Sequence, residues 1–323
     1  MRVLFAGSPS LAVPCLERIS RDHDVRAVLT SRDQPAGRGR ECRPTPVKEA
    51  AQALGIRVLQ PERLDAQALA EVRSLAPDLL VVAAYGKIFK KEFLELFPQG
   101  GINLHPSLLP RYRGPSPIAA AILAGDGETG VTVQRIALSF DTGDILAQQR
   151  FPLRGEETTG TLSESLAVLG ADLLASVLAD MAAGRAPVAV SQQEEDASYC
   201  RPVRKEDGRV DWAEPALVIE RKVRAYDPWP RAGTSLAGAS LLLLKTHVYP
   251  DTLPNAARAA AAGPANPPAP GVILAADRAH GLIVQTGSGI LAVEQLQPQF
   301  KKPMDWRSCL NGRPDMIGAR LGE

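Results

Sequence analysis

An asparagine and a histidine two residues apart are the side chains best suited to chemistry in this sequence. Asn103 and His105 follow a predicted strand, and on an extended segment residues two apart point to the same side. A histidine can carry a proton near neutral pH, and an asparagine amide can donate to a developing oxyanion without titrating. Asp141, in the glycine-containing turn Asp141-Thr142-Gly143-Asp144, is the candidate third group that would orient the imidazole. The alternative is that Asn103 and His105 only cap strand ends, and their spacing alone does not separate the two interpretations.

The first half of the chain must supply the scaffold for these residues. It alternates short apolar runs with segments that carry apolar residues at helical spacing. This alternation predicts βαβ units, and hence an α/β fold with a Rossmann-like parallel sheet and helices on both faces. The predicted strands cover residues 2–6, 25–30, 57–59 and 78–84, and the predicted helices cover residues 10–20, 46–54 and 66–75. In such folds ligands bind beyond the carboxyl ends of the strands.

The pattern changes after residue 103. A helix is predicted over 115–124, strands over 130–135 and 146–152 on either side of the Asp141 turn, and a long helix over 158–184. In the last third, short β-like runs at 241–248, 272–274, 281–285 and 290–295 predict a small, OB-like β-barrel. We therefore expect a first domain over residues 1–188, a linker over 189–206 and a C-terminal β-barrel domain over 207–323. The alanine- and proline-rich stretch 254–271 should contribute no packed core.

The composition is that of an ordinary folded protein. The 323 residues include 37 basic and 36 acidic ones, for a net charge of +1, and 45% are hydrophobic. No apolar run reaches the roughly 18 residues of a membrane span, so no membrane contact is expected. The four cysteines show no CxxC spacing, which disfavours zinc or a disulfide framework and favours reduced thiols in a cytoplasm. Nothing in the sequence requires more than a monomer.

The turn after the first predicted strand does not fit a dinucleotide or ATP. It reads Gly7-Ser8-Pro9-Ser10-Leu11-Ala12, without the GxGxxG spacing of a pyrophosphate-binding turn. Pro9 also lacks the backbone N–H that a pyrophosphate would need at this point. A phosphate-binding lysine motif is absent as well, so neither cofactor is expected.

The segment from Asn103 to Gly114 resembles the signature of the folate-dependent formyltransferases. It reads NLHPSLLPRYRG and is followed at the matching distance by Gly130-Val131-Thr132 and by the Asp141 turn. The resemblance to members that act on initiator methionyl-tRNA spans nearly the whole chain. It includes RVLFAGSP at 2–9, PAGRGR at 35–40, RAYDPWP at 224–230 and KKPM at 301–304. The main departure is the stretch 254–271, which resembles an insertion in the second domain.

This resemblance implies an activity and roles for the three residues. The family moves a formyl group from 10-formyltetrahydrofolate to an amine, here the α-amino group of methionine on initiator tRNA, in support of translation initiation. Asn103 and a protonated His105 would stabilise the oxyanion that forms when the amine attacks. Asp141 would hold His105, favour its charged form and help to relay the proton that the amine loses. No metal is required.

The resemblance also implies where the formyl donor binds. The family's folate contact falls on Ser107, Leu108, Leu109 and Pro110, which would pack and hydrogen-bond around the pterin. The alternative for the two leucines is an ordinary core position.

The loop over residues 31–48 is rich in arginine. Its five basic residues face two acidic ones, and its glycines and prolines predict an irregular conformation. Arginines in such a loop suit contacts to RNA, although a charge run is usually only a solvated surface. With the resemblance, Arg38, Arg40, Arg43 and Lys48 become the expected clamp on the tRNA acceptor stem. The near-zero net charge does not exclude this partner, because from residue 199 onward 16 basic residues outnumber 12 acidic ones.

Two other functions remain open from the sequence. A formyltransferase acting on an amino sugar nucleotide would share Asn103, His105 and Asp141, but it offers no reason for the arginine-rich loop. An RNA-binding protein with a decayed α/β domain is the non-catalytic alternative, and the complete set of three residues argues against it.

Overall fold

The computed structural model of the chain describes residues 1–36, 41–185, 187–250 and 268–323. The chain divides into two compact units. The first comprises Met1–Ile118, Gly127–Leu153 and Thr161–Pro202, and the second comprises Ala119–Asp126, Arg154–Gly160 and Val203–Glu323. Most of residues 189–206, for which the sequence predicts a linker, therefore lie in the first unit.

The first unit is built on one large sheet and one small one. The strands of the large sheet are β1 Arg2–Gly7, β2 Asp24–Leu29, β5 Val58–Leu59, β6 Leu79–Ala83, β7 Gly101–His105, β8 Glu128–Arg135 and β9 Ile145–Pro152. Their order in space is β5-β2-β1-β6-β7-β8-β9. The small sheet pairs β3 Gln34–Ala36 with β4 Glu41–Arg43, a hairpin that the sequence did not predict.

The predicted α/β fold is confirmed, with one difference in strand direction. The pairs from β5 through β7 are parallel, whereas β8 and β9 are antiparallel to their neighbours, so the large sheet is mixed. A parallel pair needs a long crossover, but an antiparallel pair can be joined by a short connection. Residues 136–144 make that connection between β8 and β9, and they include Asp141.

Six helices lie between residues 13 and 182 in the described part of the chain, and the fifth of them lies mostly in the second unit. They are α1 Val13–Ile19, α2 Pro46–Ala53, α3 Ala66–Ser74, α4 Lys91–Leu94, α5 Pro117–Ala124 and α6 Thr159–Ala182. The starts of α2 and α3 follow from their capping residues, because the side chains of Thr45 and Asp65 accept backbone N–H groups of the first turn. The helices predicted over 46–54, 66–75, 115–124 and 158–184 are confirmed to within two or three residues.

The long helix α6 belongs to the core of the first unit over most of its length. Nine of its residues are buried. At Gly170 a Cβ atom would lie 2.5 Å from a methyl carbon of Leu104 in β7, so the helix approaches the sheet closely there. By length and composition alone α6 could cross a membrane, but core helices of soluble proteins pass the same test. Its buried face accounts for its apolar character.

The described residues of the second unit form an antiparallel sheet and two helices, besides the residues of α5 that belong to this unit. Its strands are β10 Ala232–Leu236, β11 Ala239–Val248, β12 Ile273–Asp277, β13 Gly281–Gln285, β14 Ile290–Pro298 and β15 Met304–Asp305, and its helices are α7 Ala216–Ala225 and α8 Trp306–Gly312. The spatial order is β10-β11-β14-β13-β12, with β15 beside β14. The sequence did not predict β10, β15, α7 or α8. Residues 254–267 of the predicted unpacked stretch lie outside the described part of the chain.

The C-terminal tail closes this sheet on itself. Arg320 pairs with Val272 next to β12, and Leu321 pairs with Leu236 in β10. Since β10 and β12 are the two edges of the sheet, the tail bridges them. The predicted small β-barrel is confirmed, and the pairing of these tail residues with both edge strands completes it.

Candidate active site

Strand β7 presents Asn103 and His105 at its carboxyl end. Asn103 lies opposite Gln134 of β8, and His105 lies opposite Thr132. Because side chains alternate along a strand, Asn103 and His105 point to the same face of the sheet. His105 is buried, whereas Asn103 keeps partial exposure.

Asp141 meets both of these side chains. Its Oδ1 atom lies 3.5 Å from Nδ1 of His105 and 3.4 Å from Nδ2 of Asn103. The same oxygen accepts a hydrogen bond from Nε2 of Gln134 at 2.9 Å, and Oδ2 accepts one from the backbone N–H of Gly114 at 2.9 Å. The structure therefore brings the three predicted catalytic residues together.

The turn that carries Asp141 has an unusual backbone. Asp141 itself has a φ of 53°, in the left-handed region that residues other than glycine seldom adopt. At Gly143 a Cβ atom would lie 1.8 Å from the carbonyl oxygen of Arg135, so only glycine fits. Such conformations cost about 1–3 kcal/mol and persist where the surroundings hold them.

The carbonyl of Tyr112 determines which nitrogen of His105 carries the hydrogen. Nε2 lies 2.9 Å from that oxygen. A carbonyl oxygen only accepts, so Nε2 is the donor and keeps its hydrogen in the neutral ring. Nδ1, which faces Asp141, is the nitrogen that can take up a proton.

Burial decides the charge of His105 in the free protein. It lowers the pKa of His105 below the ordinary value of 6.5, and the Asp141 carboxylate and the Tyr112 carbonyl only partly oppose this effect. Asp141 favours the charged form of His105, as expected, because its carboxylate raises the pKa, but burial lowers the pKa by more. The lowered pKa favours the neutral ring, in which Nδ1 can accept a proton.

The predicted folate residues shape the loop after β7. Thr132 Oγ1 donates to the carbonyl of Ser107 at 2.6 Å and accepts from the backbone N–H of Leu109 at 3.1 Å. Ser107 and Leu109 are buried, and Leu108 and Pro110 are partly exposed. Ser107 and Leu109 thus hold the loop in shape, and contact of the four residues with folate stays a prediction.

Exposed apolar side chains occur close to Asp141 in the sequence. Leu138 is 63% exposed and Phe140 is 60% exposed, and both belong to the connection between β8 and β9. Ile88, which follows β6, is also exposed. These residues were not predicted from the sequence, although two large apolar side chains in one turn are a recognisable signal.

Two polar side chains near Asp141 were also missed, and a third was named without a role. Gln134 in β8 and Arg113 after β7 are almost fully buried, and Gln192 lies in the predicted linker. Arg113 belongs to the NLHPSLLPRYRG run but received no function. No local pattern marks these residues, because their partners are distant in sequence.

The predicted tRNA-contact residues have different surroundings. Arg38 and Arg40 lie outside the described residues, and Arg43 in β4 is exposed. The Lys48 ammonium lies 2.7 and 2.9 Å from the two carboxylate oxygens of Asp33. Lys48 therefore ties the two ends of the 31–48 loop together, and contact of any of the four with tRNA stays a prediction.

Within residues 1–36, 41–185, 187–250 and 268–323 there is no group of three or more His, Cys, Asp or Glu side chains placed to hold a metal ion. All four cysteines, Cys15, Cys42, Cys200 and Cys309, are free thiols.

Two family models match the chain. One, described as formyl transferase, matches residues 1–178, and the other, described as formyl transferase, C-terminal domain, matches residues 202–314. The methionyl-tRNA formyltransferase of Treponema denticola is 42% identical, with 98% of each chain covered. That of Roseiflexus castenholzii is 45% identical, with 95% of each chain covered.

A solved structure has a similar fold. HypX from Aquifex aeolicus, in complex with tetrahydrofolic acid, matches with a TM-score of 0.62 and 20% identity. The match covers 98% of this chain and 48% of the HypX chain. At this identity the likeness concerns the fold alone.

Proposed function

The chain belongs to the formyl transferase family, and from this premise we propose that it transfers a formyl group from 10-formyltetrahydrofolate to the methionine α-amino group of initiator methionyl-tRNA, supporting translation initiation. The observation that carries the proposal is the convergence of Asn103, His105 and Asp141 at the carboxyl end of β7. The full-length relatives named above are methionyl-tRNA formyltransferases.

The residues around Asp141 fit the formyl donor, whose folate part carries a planar pterin and whose formyl group is the one transferred. Leu138 and Phe140 expose apolar surface in the same turn as the catalytic carboxylate. Planar aromatic groups bury their faces favourably on such surfaces. Leu108 and Pro110 add partly exposed apolar atoms after β7.

Asn103 supplies a neutral hydrogen-bond donor. Its amide has two hydrogens, and its contact with Asp141 is long, at 3.4 Å. The amide can therefore donate to the formyl oxygen as negative charge develops there. A donor held in place before the reaction stabilises that charge without reorganisation.

His105 and Asp141 handle the proton that the attacking amine loses. Nδ1 of the neutral imidazole accepts this proton, directly or through Asp141. The resulting imidazolium lies between the Tyr112 carbonyl at Nε2 and the Asp141 carboxylate at Nδ1. Both groups accept hydrogen bonds, so both stabilise the cation.

The tRNA substrate is larger than the site around Asp141, so it needs contact surface elsewhere on the protein. We propose that the 31–48 loop binds the acceptor stem of the tRNA through Arg38, Arg40, Arg43 and Lys48. Arg43 is exposed on the β3–β4 hairpin, as a phosphate contact requires. We further assign catalysis to residues 1–188 and tRNA contacts to the β-barrel over 207–323.

The protein should act as a monomer in the cytoplasm and away from membranes. Four free thiols are consistent with a reducing compartment. Light scattering of the purified protein tests the monomer, with a mass near 34.4 kDa expected.

The decisive experiment for the proposed function is a choice between acceptors. The protein is incubated with 10-formyltetrahydrofolate and either methionyl-initiator tRNA or amino sugar nucleotides, and the formylated product is quantified. Formylated methionyl-tRNA is expected, together with no formylated sugar. Formylation of the sugar alone would overturn the proposal, as would failure to formylate the tRNA at every salt concentration.

A further inference from the structure

A residue from beyond α6 holds the turn that carries Asp141. Nε2 of Gln192 lies 2.8 Å from the carbonyl oxygen of Asp141 and 2.7 Å from that of Gly143. A side-chain amide has two hydrogens, and the two carbonyls of this turn are their nearest acceptors; a third acceptor, Oε1 of Gln134, lies farther away at 3.2 Å. Gln192 therefore donates hydrogen bonds to the backbone of the turn on both sides of Thr142.

Arg113 fixes the orientation of the Gln192 amide. Nε of Arg113 donates to Oε1 of Gln192 at 3.0 Å, and Nη1 contacts the two Glu194 carboxylate oxygens at 2.8 and 3.0 Å. The Arg113 side chain is only 1% exposed. Because a guanidinium only donates and a carbonyl only accepts, the amide of Gln192 fits in one orientation. A glutamate at this position would turn a carboxylate oxygen toward two carbonyls.

The segment around Arg113 also contacts the catalytic side chains. The carbonyl of Tyr112 accepts from Nε2 of His105, and the N–H of Gly114 donates to Oδ2 of Asp141. The backbone of Arg113 pairs with the carbonyl of Ser198 and the N–H of Cys200, each at 2.8 Å. Residues 192–200 are thus tied to the same loop that orients His105.

Gln134 connects the Gln192 amide to the Asp141 carboxylate. Its Oε1 atom lies 3.2 Å from Nε2 of Gln192, and its Nε2 atom donates to Oδ1 of Asp141 at 2.9 Å. The turn backbone and the carboxylate are therefore held by one connected set of side chains. Such a set suits a residue whose φ of 53° must be maintained by its surroundings.

From these contacts we propose that Gln192 is a positioning residue for formyl transfer: it holds the Asp141 turn so that the carboxylate faces His105 and Asn103. It acts through Asp141 and does not touch the reacting atoms. The effect on turnover rests on the proposed function, whereas the effect on the turn itself does not.

The first test is a pair of neighbouring substitutions. Gln192→Met keeps the size of the side chain and removes its polar atoms, and Gln193→Met makes the same change at an exposed neighbour. We expect Gln192→Met to lower kcat about 100-fold, the order of effect of a misplaced catalytic group, with little change in KM for either substrate. Gln193→Met should behave as wild type. An unchanged kcat in Gln192→Met would overturn the proposal, as would a loss that lies only in KM.

A double-mutant cycle separates positioning from general damage. If Gln192 acts through Asp141, adding Gln192→Met to Asp141→Asn should lower kcat less than about threefold further, because the group it positions is already disabled. Losses that multiply in the double variant would show that Gln192 acts elsewhere and would contradict the proposal.

Hydrogen exchange tests the turn without any assay of activity. Amides of residues 136–144 should exchange faster in Gln192→Met than in Gln193→Met, with the rest of the chain unchanged. Unchanged exchange there would overturn the proposal, even if wild type formylates methionyl-tRNA. Faster exchange in a protein whose wild type does not formylate methionyl-tRNA would support the positioning role and refute only the proposed function.

If Gln192→Met does not fold, Gln192→Glu replaces it, and failure of both to fold would assign Gln192 to stability and overturn the proposal.

Discussion

Each unit of this molecule contains a histidine next to a carboxylate, and the two pairs differ in burial and in the groups around them. In the first unit, His105 Nδ1 lies 3.5 Å from Asp141, and both side chains are nearly buried. In the second unit, Nδ1 of His247 in β11 lies 2.9 Å from Oε1 of Glu294 in β14, and both side chains are about one-third exposed. The shorter contact belongs to the pair for which we assign no chemistry.

The pair in the second unit has both ring nitrogens of its histidine occupied. Nε2 of His247 lies 3.0 Å from Nδ1 of His280, and Lys245 contacts the second oxygen of Glu294 at 2.7 Å. Burial raises the pKa of Glu294, but Lys245 and His247 outweigh it, so the pKa is lowered. These are the features of a polar cluster that stabilises a sheet surface.

The pair in the first unit is buried and is hydrogen-bonded to the loop that follows β7. His105 is held by one nitrogen on the Tyr112 carbonyl, and its other nitrogen is free to change protonation state. Burial and the placement of acceptors, more than the length of one contact, therefore mark a histidine that can move a proton.

The largest expected difference comes from replacing the two carboxylates. Asp141→Asn should lower kcat about 1,000-fold, since proton transfer by a placed side chain contributes on that order. Glu294→Gln should leave kcat within about twofold of wild type, because that pair has no part in the reaction. Steady-state formylation of methionyl-tRNA measures both. Equal losses of kcat in the two variants would contradict the proposal that only the Asp141 pair takes part in the reaction.

Replacing a further neighbour of each carboxylate, Asn103 beside Asp141 and Lys245 beside Glu294, should give a smaller difference in kcat. Asn103→Ala should lower kcat about 100-fold, the usual cost of losing one oxyanion donor. Lys245→Ala removes the corresponding neighbour of Glu294 and should leave kcat unchanged. The measurement is kcat at saturating concentrations of both substrates. A normal kcat in Asn103→Ala would mean that the amide does not face the formyl oxygen.

The smallest expected effect is on stability against pH. Because folding lowers the pKa of His105, the unfolded chain binds that proton more readily than the folded chain. The free energy of unfolding should therefore fall as the pH drops below about 6.5, the ordinary histidine value. Urea unfolding from pH 8 to pH 5 should show a smaller fall in His105→Gln than in wild type. A larger fall in the variant would mean that the folded state favours charged His105.

The strands of the first unit and the convergence of Asn103, His105 and Asp141 could be predicted because their signals are local. Buried strands such as β1 and β6 leave continuous apolar runs, and Asn103 and His105 lie within one short motif. The Asp141 turn follows at a distance that the motif itself indicates. Alternation along an extended strand was sufficient to put Asn103 and His105 on one face.

Features set by distant contacts could not be predicted. The antiparallel direction of β8 and β9 depends on pairing that leaves no period in the sequence. The lowered pKa of His105 depends on burial by the folded chain, whereas the family resemblance implied a protonated ring. Gln192 meets the Asp141 turn only after α6 has brought the chain back.

The proposed role of His105 is the chemical step of formyl transfer to methionyl-tRNA. It is tested most directly by a single turnover with enzyme in excess over methionyl-tRNA and saturating 10-formyltetrahydrofolate, quenched on the millisecond-to-minute scale. Binding of the tRNA is measured in parallel for wild type, His105→Ala and His247→Ala. We expect His105→Ala to form formylmethionyl-tRNA at least about 1,000-fold more slowly with tRNA affinity retained, and His247→Ala to match wild type. A wild-type rate in His105→Ala, or a loss explained by weaker tRNA binding, would contradict this role.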